Sequence, residues 1–448
     1  MIKILLISPS LPRFKKLFSP ENWFPPLGIS YLSSILKKSN YQVDILDSLI
    51  INLKYPENDP IDFEYAVENA ISDKEYDFIG ISVVSHTRIL ALNISKIIKE
   101  ISPNSKVIWG GPHPSVMYEQ LAYNYSEIID AIVVGAGEDR IIDVIDYFSG
   151  HFIKSPNDII IINNCIIFHS NNISDIESHI NYVPDYASYL NYSYNIRNIS
   201  IIGSRGCPFN SCDYCAGKWI PYNERSIANI VKEIEFLTSS YNIERIHFHD
   251  NTFTMDRNRT LRLFNEIKNR PLQLSISMKT RFDCIDEKII GLFRNIGGRT
   301  ISFGLETGNQ ELRKKLGKNI NNLRIIELSN LIKEYGLSFG VYILLGHPEE
   351  TDRDIEETIE FLQKICPNEV ITSIVCLYPG TQLYNRAIIE GKIVQNDWLT
   401  NRICFTYADE GRKQKLFYYE KIINEMFPRF IEWTENSGLY NVRESQQI

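Results

Sequence analysis

The chain lacks any apolar run long enough to cross a bilayer, since a membrane helix needs about 20 consecutive apolar residues. No integral membrane segment is therefore expected. It also lacks an excess of positive charge. The formal net charge is −8, which argues against a nucleic-acid partner or a polybasic membrane surface and leaves only local basic patches. A secretory leader is not expected either. The apolar stretch in Met1-Ile-Lys-Ile-Leu-Leu-Ile-Ser-Pro is too short for one and reads as a first strand, so a cytoplasmic location is the expectation. Paired cysteines are missing as well. Five of the eight, Cys165, Cys284, Cys366, Cys376 and Cys404, are scattered without a spacing pattern. A disulfide framework is not expected, and each reads as a small buried hydrophobe. Cys376, at the end of an apolar strand, is read the same way. No nucleophile–base–acid triad stands out.

What is present is a long chain of ordinary globular composition. With 448 residues, 44% hydrophobic and 23% charged, it is large enough for two or three domains. Its first ~150 residues alternate short apolar runs with helical patterns, the signature of βα units on a parallel sheet. Strands are expected at Ile2–Ser8, Gln42–Leu46, Phe78–Val83, Lys106–Trp109 and Ala131–Val134, with helices such as Ile29–Lys38 and Ile89–Ile101 between them. Glycine-rich turns follow the fourth and fifth strands, Gly110-Gly111-Pro112-His113 and Gly135-Ala136-Gly137-Glu138. Open parallel sheets bind ligands at such turns, beyond the carboxyl ends of the strands.

A connector over 151–197 follows. Ile159–Ile162, Asn163-Asn164 and Cys165–Phe168 suggest a hairpin, and the polar, tyrosine-rich stretch Asn171–Asn198 reads as a linker. From Ile199 a second βα series begins. Its strands are expected at Ile199–Gly203, Arg245–His249, Gln273–Met278, Thr300–Gly304, Ser338–Leu345 and Glu369–Leu377. Helices are expected at Ile227–Leu237, Arg259–Lys268, Glu287–Arg294, Leu323–Tyr335 and Asp354–Cys366. The fold class is thus α/β: a doubly wound, Rossmann-like domain over 1–150, a partial (β/α)6 barrel over 198–385, and a small, mainly helical region over 386–448. In the last of these, Phe417, Ile423, Phe427, Phe430 and Ile431 form an amphipathic stripe that reads as docking on the barrel, with a substrate lid or a peripheral membrane contact as alternatives.

The most informative residues are Cys207, Cys212 and Cys215, in Gly-Ser-Arg-Gly-Cys-Pro-Phe-Asn-Ser-Cys-Asp-Tyr-Cys directly after the first strand of the second series. Three thiolates in one loop, with no fourth thiol or imidazole near them in sequence, suit an iron–sulfur cluster that leaves one iron open. A structural zinc would call for a fourth ligand, and the nearest histidines, His247 and His249, belong to the next strand.

On these residues the second series resembles the radical S-adenosylmethionine (radical SAM) family. The resemblance implies a [4Fe–4S] cluster on Cys207, Cys212 and Cys215, and S-adenosylmethionine chelated to the open iron. Four residues separate the first two cysteines, where the family's commonest spacing is three. Tyr214 stands where the family places an aromatic residue against the adenine. His249-Asp250-Asn251-Thr252-Phe253 resembles the motif that meets the methionyl amine, with Asp250 as a charge-assisted acceptor or, alternatively, the N-cap of the following helix. Glu306, in Gly304-Leu305-Glu306-Thr307-Gly308, is placed against cofactor or substrate, or else in a salt bridge to Arg281 or Lys315. Gly346, in Gly346-His347-Pro348-Glu349-Glu350-Thr351, resembles the family's Gly-Pro-Glu-Thr turn. Tyr378 and Pro379 end the sixth strand near the adenine edge.

The first domain resembles the cobalamin-binding domain fused to one radical SAM subfamily. The residues concerned are Pro26, Leu27 and Gly28 at a helix start, Ser82 and Ser85 after a strand, Gly110, Gly111, Pro112 and His113, and Gly135, Gly137 and Glu138. The Asp-x-His-x-x-Gly motif that supplies a lower histidine ligand elsewhere is absent, which fits base-off cobalamin without one. The resemblance implies a cobalamin-dependent radical SAM enzyme, a C-methyltransferase first. It would methylate an unactivated carbon of a small molecule or peptide through a 5′-deoxyadenosyl radical and methylcobalamin, with an external flavodoxin- or ferredoxin-type electron donor. A cyclase, ring-contraction or oxidation enzyme on the same cofactors is the alternative. A non-catalytic cobalamin or iron–sulfur sensor is the alternative of another class.

Overall fold

The structure, a computed structural model, describes residues 1–10, 24–55, 62–151, 159–170, 184–190, 198–209, 211–241 and 243–427. The described residues fall into two compact units. One takes those before residue 197 together with Val394–Cys404, and the other takes the remainder.

The first unit is built on a seven-stranded sheet. Its strands are β1 (Lys3–Ser8), β2 (Gln42–Asp47), β3 (Phe78–Ser82), β4 (Lys106–Gly110), β5 (Ala131–Val134), β6 (Ile159–Ile162) and β7 (Cys165–His169), in the order β2-β1-β3-β4-β5-β7-β6. All pairings are parallel except β6 with β7. The hairpin expected in the connector therefore closes one edge of this sheet. Its Asn163-Asn164 turn works because both residues take positive φ, 46° and 69°, which the turns of tight hairpins require and asparagine tolerates. The stretch read as a linker also contributes to this unit. Within its described part, Tyr186 and Tyr189 are fully buried, and Tyr189 donates to Asp47 at 2.8 Å. Asp185 accepts from Ser33 and Lys37, each at 2.6 Å. Residues 171–183 and 191–197 lie outside the described residues.

Val394–Cys404, placed by sequence in the C-terminal helical region, packs in the first unit, where Tyr125 donates to the Leu399 carbonyl at 3.1 Å and one arginine gathers several more carbonyls. Arg88 is buried and donates to the carbonyls of Trp398 (2.6 Å), Thr400 and Ile403 (both 3.1 Å) and Arg402. Its guanidinium stacks on the Trp398 ring. Sequence periodicity carries no signal for such a long-range return.

The second unit holds an open six-stranded sheet of β8 (Asn198–Ile201), β11 (Arg245–Phe248), β12 (Ser275–Thr280), β13 (Gly298–Glu306), β14 (Ser338–Leu345) and β15 (Glu369–Ile374). Its pairings are all parallel and follow chain order. β9 (Ser204–Arg205) and β10 (Asn223–Glu224) make a small antiparallel pair flanking the cysteine loop. This is the expected partial barrel, and it is not closed. Helix ends follow ordinary capping rules: Asp256, Asp286, Asn309, Asn321, Thr351 and Thr381 each accept from a first-turn N–H. The tail forms a helix over Glu410–Met426 whose buried stripe is Lys413, Leu416, Glu420 and Ile423. Glu420 accepts from Thr372 of β15 at 3.1 Å, so this helix docks on the sheet, but through a stripe that shares only Ile423 with the expected one among the described residues, Phe417 and Phe427 being half-buried. Phe430 and Ile431 lie outside the described residues. No helix among the described residues is long and apolar enough to cross a membrane.

Candidate active site

The cysteine loop leaves the carboxyl end of β8 on a pedestal of buried polar contacts. Gly203 donates its N–H to Asp250 at 2.8 Å, and its carbonyl accepts from Arg259 at 2.8 Å. Arg225, nearly fully buried, donates to the Ile202 carbonyl at 2.9 Å and pairs with buried Glu233 at 2.6 Å. Gly206 then turns with φ +73°, and a Cβ there would run into the carbonyls of Ile220 and Pro221. Only glycine fits such a left-handed, crowded position.

Cys207, Cys212 and Cys215 follow, all partly buried and unpaired. The Cys215 N–H donates to the Cys212 carbonyl at 3.3 Å, and the Gly217 N–H approaches the Cys215 sulfur. Burial pushes the Cys212 and Cys215 thiols up, opposed at Cys212 by Lys318 and by the Tyr214 hydroxyl. A metal centre taking these thiolates would release their protons on binding. Three thiolates in one loop are the donor chemistry of an iron–sulfur cluster that leaves one iron open, whereas a structural zinc takes four ligands.

Around the loop, the predicted residues gather at the ends of the strands. Glu306 ends β13 at φ +67°, where the register with β14 slips between Gly304 and Glu306. A non-glycine residue held there stores strain of roughly 1 kcal/mol or more, as functional sites tend to do. Its carboxylate pairs with Lys318 at 2.5 Å, and neither Arg281 nor Lys315 is the partner. Lys318 also donates to the Gly304 carbonyl at 2.6 Å, occupying the space a Cβ at Gly304 would need. Arg281 instead forks onto Asp283 at 2.6–2.7 Å and stacks 3.7 Å over the Phe209 ring, within the cysteine loop. Tyr214 lies edge-on to His347, and His347 meets Asp213 at 3.2 Å. Gly346, with φ +84°, packs against Leu416, and its N–H donates to Glu350 at 2.6 Å. Burial drives the Glu350 carboxyl up to about 7, against the lowering effects of that N–H and of Arg412. Tyr378 and Pro379 form the turn before the helix capped by Thr381, whose hydroxyl donates to the Tyr378 carbonyl at 2.8 Å.

Of the two sequence readings of Asp250, the structure overturns the helix N-cap. It is 1% exposed, and its two oxygens are taken by the Gly203 N–H and the Ser204 hydroxyl (2.6 Å). The helix that follows is capped by Asp256. Burial holds the Asp250 carboxyl up at about 6, opposed by Ser204, the Gly203 N–H and Arg259. Its visible work is to fix the root of the cysteine loop. Sequence also missed Lys318, which sits in an irregular segment with no motif around it.

In the first unit, the predicted turns line the carboxyl ends of the parallel strands. Pro26 precedes the helix Leu27–Lys38, and a Cβ on Gly28 would meet nothing within 4 Å. That helix start is open. Gly111 takes φ +104°, with Val83 and Ser82 close to where its Cβ would stand, and Gly135 takes φ +91°. Ser115 ties the two turns, accepting from the Gly135 N–H at 3.0 Å and donating to the Gly111 carbonyl at 2.8 Å. Ser85 meets His113 Nδ1 at 3.1 Å, and His113 Nε2 is buried without a partner. Burial, then Arg88 and His86, lowers His113 to about 3, so its ring is neutral. Gly110, Pro112, Gly137 and Glu138 complete the two turns. The open helix start at Gly28, beside glycine turns at the strand ends, fits a ligand rich in amide and phosphate groups, such as cobalamin.

Residues 201–362 match the Radical SAM superfamily model and residues 17–145 match the B12 binding domain model. An uncharacterized methyltransferase of Pyrococcus horikoshii is 27% identical over 437 residues, covering 94% of this chain and 90% of that protein. The anaerobic magnesium-protoporphyrin IX monomethyl ester cyclase of Rubrivivax gelatinosus is 26% identical over 388 residues, covering 81% and 66%. The cytidylyl-2-hydroxyethylphosphonate methyltransferase of Streptomyces wedmorensis is 23% identical over 399 residues, covering 77% and 73%. Among solved structures, the radical S-adenosylmethionine methyltransferase TsrM of Kitasatospora setae superposes with a TM-score of 0.68 at 17% identity, covering 87% of this chain and 77% of that one. The cobalamin-dependent S-adenosylmethionine radical enzyme OxsB gives 0.70 at 15% identity, covering 95% and 71%. At these identities the structural likeness establishes the fold.

Proposed function

We propose, on the premise that this chain belongs to the radical SAM superfamily and carries a B12 binding domain ahead of its radical SAM domain, that it methylates an unactivated carbon of a small molecule or peptide. The observation that carries the reading is the braced loop of Cys207, Cys212 and Cys215 at the carboxyl end of β8, three free thiols gathered in one loop. When bound, a [4Fe–4S] cluster with one open iron supplies electrons to S-adenosylmethionine, and cobalamin carries the methyl group.

The chain's own residues bind and orient. The three thiolates would hold the cluster, with the Gly217 N–H directed at the Cys215 sulfur and the Tyr214 hydroxyl at the Cys212 sulfur. Glu306, fixed by Lys318 in a strained backbone position, presents a carboxylate beside them. The turns at Gly346, Tyr378 and Pro379 offer close backbone to the adenosyl part of S-adenosylmethionine. Residues 1–150 hold cobalamin through Pro26, Leu27, Gly28, Ser82, Ser85, Gly110–His113, Gly135, Gly137 and Glu138. An external donor of flavodoxin or ferredoxin type supplies the electron.

A second reading, cyclisation on the same cofactors, is favoured by the similarity to the magnesium-protoporphyrin ester cyclase. Product analysis separates the two. The anaerobically reconstituted chain, given reductant and methyl-labelled S-adenosylmethionine, should form both 5′-deoxyadenosine and S-adenosylhomocysteine. 5′-Deoxyadenosine without S-adenosylhomocysteine would replace methylation with the cyclase reading. Formation of neither would overturn both.

A further inference from the structure

Parallel sheets are ordinarily apolar on both faces, and the second sheet is not. Along β8, β11, β12 and β13 the residues alternate strictly. Ile199, Ile201, Ile246, Phe248, Ile276, Met278, Ile301 and Phe303 are all fully buried. Between them stand Ser200, His247, Ser277, Lys279 and Ser302. Register places Ser200, His247 and Ser277 in one row across three strands, and Lys279 beside Ser302 in the next row. His249, one step beyond β11, continues the same face. His247 and His249 stack edge to face with centroids 5.9 Å apart, and His247 Nδ1 meets Ser277 Oγ at 2.7 Å.

Lys279 is the group that needs explaining. Among the described residues its ammonium makes no hydrogen bond and no salt bridge, although the residue is half-buried. The carboxylate whose charge acts on it belongs to Asp250, and both oxygens of that group are already engaged by Gly203 and Ser204. His249 likewise has no hydrogen-bonding side-chain partner, yet it keeps accessible surface. A half-buried ammonium without a hydrogen-bonded counter-ion is costly, and buried charges are normally paired. Burial and the Lys279 charge keep both histidines neutral, so each ring retains one N–H donor. The face therefore gathers a cation and neutral donors with one anionic place left unfilled.

We propose that Lys279 and His249, with His247 behind them, form a subsite for the acid group of the organic substrate, a carboxylate or a phosphoryl oxygen. Lys279 supplies the charge, His249 an N–H, and Ser277 fixes the His247 ring. The substrate is then an organic acid or phosphoryl ester rather than a neutral lipid. The proposal rests on the radical SAM reading of the same unit. The other source of such an anion is the methionyl carboxylate of S-adenosylmethionine.

The test is equilibrium dialysis of labelled inorganic phosphate, and separately of labelled S-adenosylmethionine, against the anaerobically reconstituted full chain as wild type, K279M and K279R. Iron content is measured on every sample. The wild type should bind phosphate saturably with S-adenosylmethionine present. K279M should weaken phosphate by about tenfold or more, the scale of one charge-assisted contact, with iron content and S-adenosylmethionine affinity unchanged. K279R should retain most phosphate binding. Equal phosphate binding by K279M, or none by the wild type, would overturn the subsite. Displacement of phosphate by S-adenosylmethionine, with K279M losing S-adenosylmethionine instead, would overturn it in favour of the methionyl carboxylate. Absence of iron from the wild type would sink the radical SAM reading separately, because phosphate binding is read without turnover.

Discussion

The two sheets share a parallel construction and differ in what their faces carry. In the first, successive residues of the central strands are apolar whichever way they point: Ile4–Ile7, Val107–Trp109 and Ala131–Val133 are all buried. The polar and glycine positions read as ligand-facing stand in the turns at the strand ends, Ser82, Ser85, Gly110–His113 and Gly135–Glu138. In the second sheet, one face is as apolar as the first sheet's and the other carries serine, histidine and lysine. A polar face on a parallel sheet costs stability unless something occupies it. The first sheet leaves ligand recognition to its rim, whereas the second carries polar side chains across one face of four of its strands.

The most disruptive way to break this comparison is to remove a cluster ligand. Cys212→Ala should abolish the cluster, seen as loss of bound iron and of visible charge-transfer absorbance. Full retention would mean the ligands are misassigned. The two faces of the second sheet can then be set against each other. Phe248→Ala, on the apolar face, should cost about 3–5 kcal/mol in denaturant unfolding. Ser277→Ala, on the polar face, should cost about 1 kcal/mol. Similar costs would erase the distinction.

Glu350 sharpens the account through pH. Its carboxyl titrates near 7 in the fold against an ordinary value of 4.5, so the fold favours the protonated form. That stability is complete below about pH 4.5 and is lost as pH rises through 7. Glu350→Gln stays neutral and keeps an oxygen for the Gly346 N–H. It should therefore gain on the wild type by about 2–3 kcal/mol between pH 4.5 and 8. A pH-independent difference would place a charged carboxylate there instead. A smaller effect is expected from Asp250→Ala. It strands the Gly203 N–H and should cost about 1–3 kcal/mol, with reduced iron loading because the loop loses its root. Full iron loading with S-adenosylmethionine binding lost would return Asp250 to the methionyl amine.

Much of this was legible in the sequence, for identifiable reasons. Strands such as Ala131–Val134 and Ser338–Leu345 stand where apolar runs and turns placed them, because both signals are local. The cysteine loop was legible because its three ligands lie within nine residues of one another. Partners distant in sequence were not. Nothing local shows that Glu306 meets Lys318, that Asp250 is spent on Gly203, or that Arg88 gathers the carbonyls of Trp398–Ile403. The connector's tyrosines look like those of a polar linker, and only the fold buries Tyr186 and Tyr189. The alternation that sets Lys279 on the polar face was present in the sequence, but no local signal says what that face meets.

The central claim is that one chain holds an open-iron cluster in its second unit and cobalamin in its first. The most direct measurement is iron and cobalt per chain after anaerobic production with cobalamin supplied. The account predicts about four irons and about one cobalt. Iron at that level without cobalt would contradict the dual-cofactor claim, leave the radical SAM sheet standing, and make the first unit a fold without its ligand.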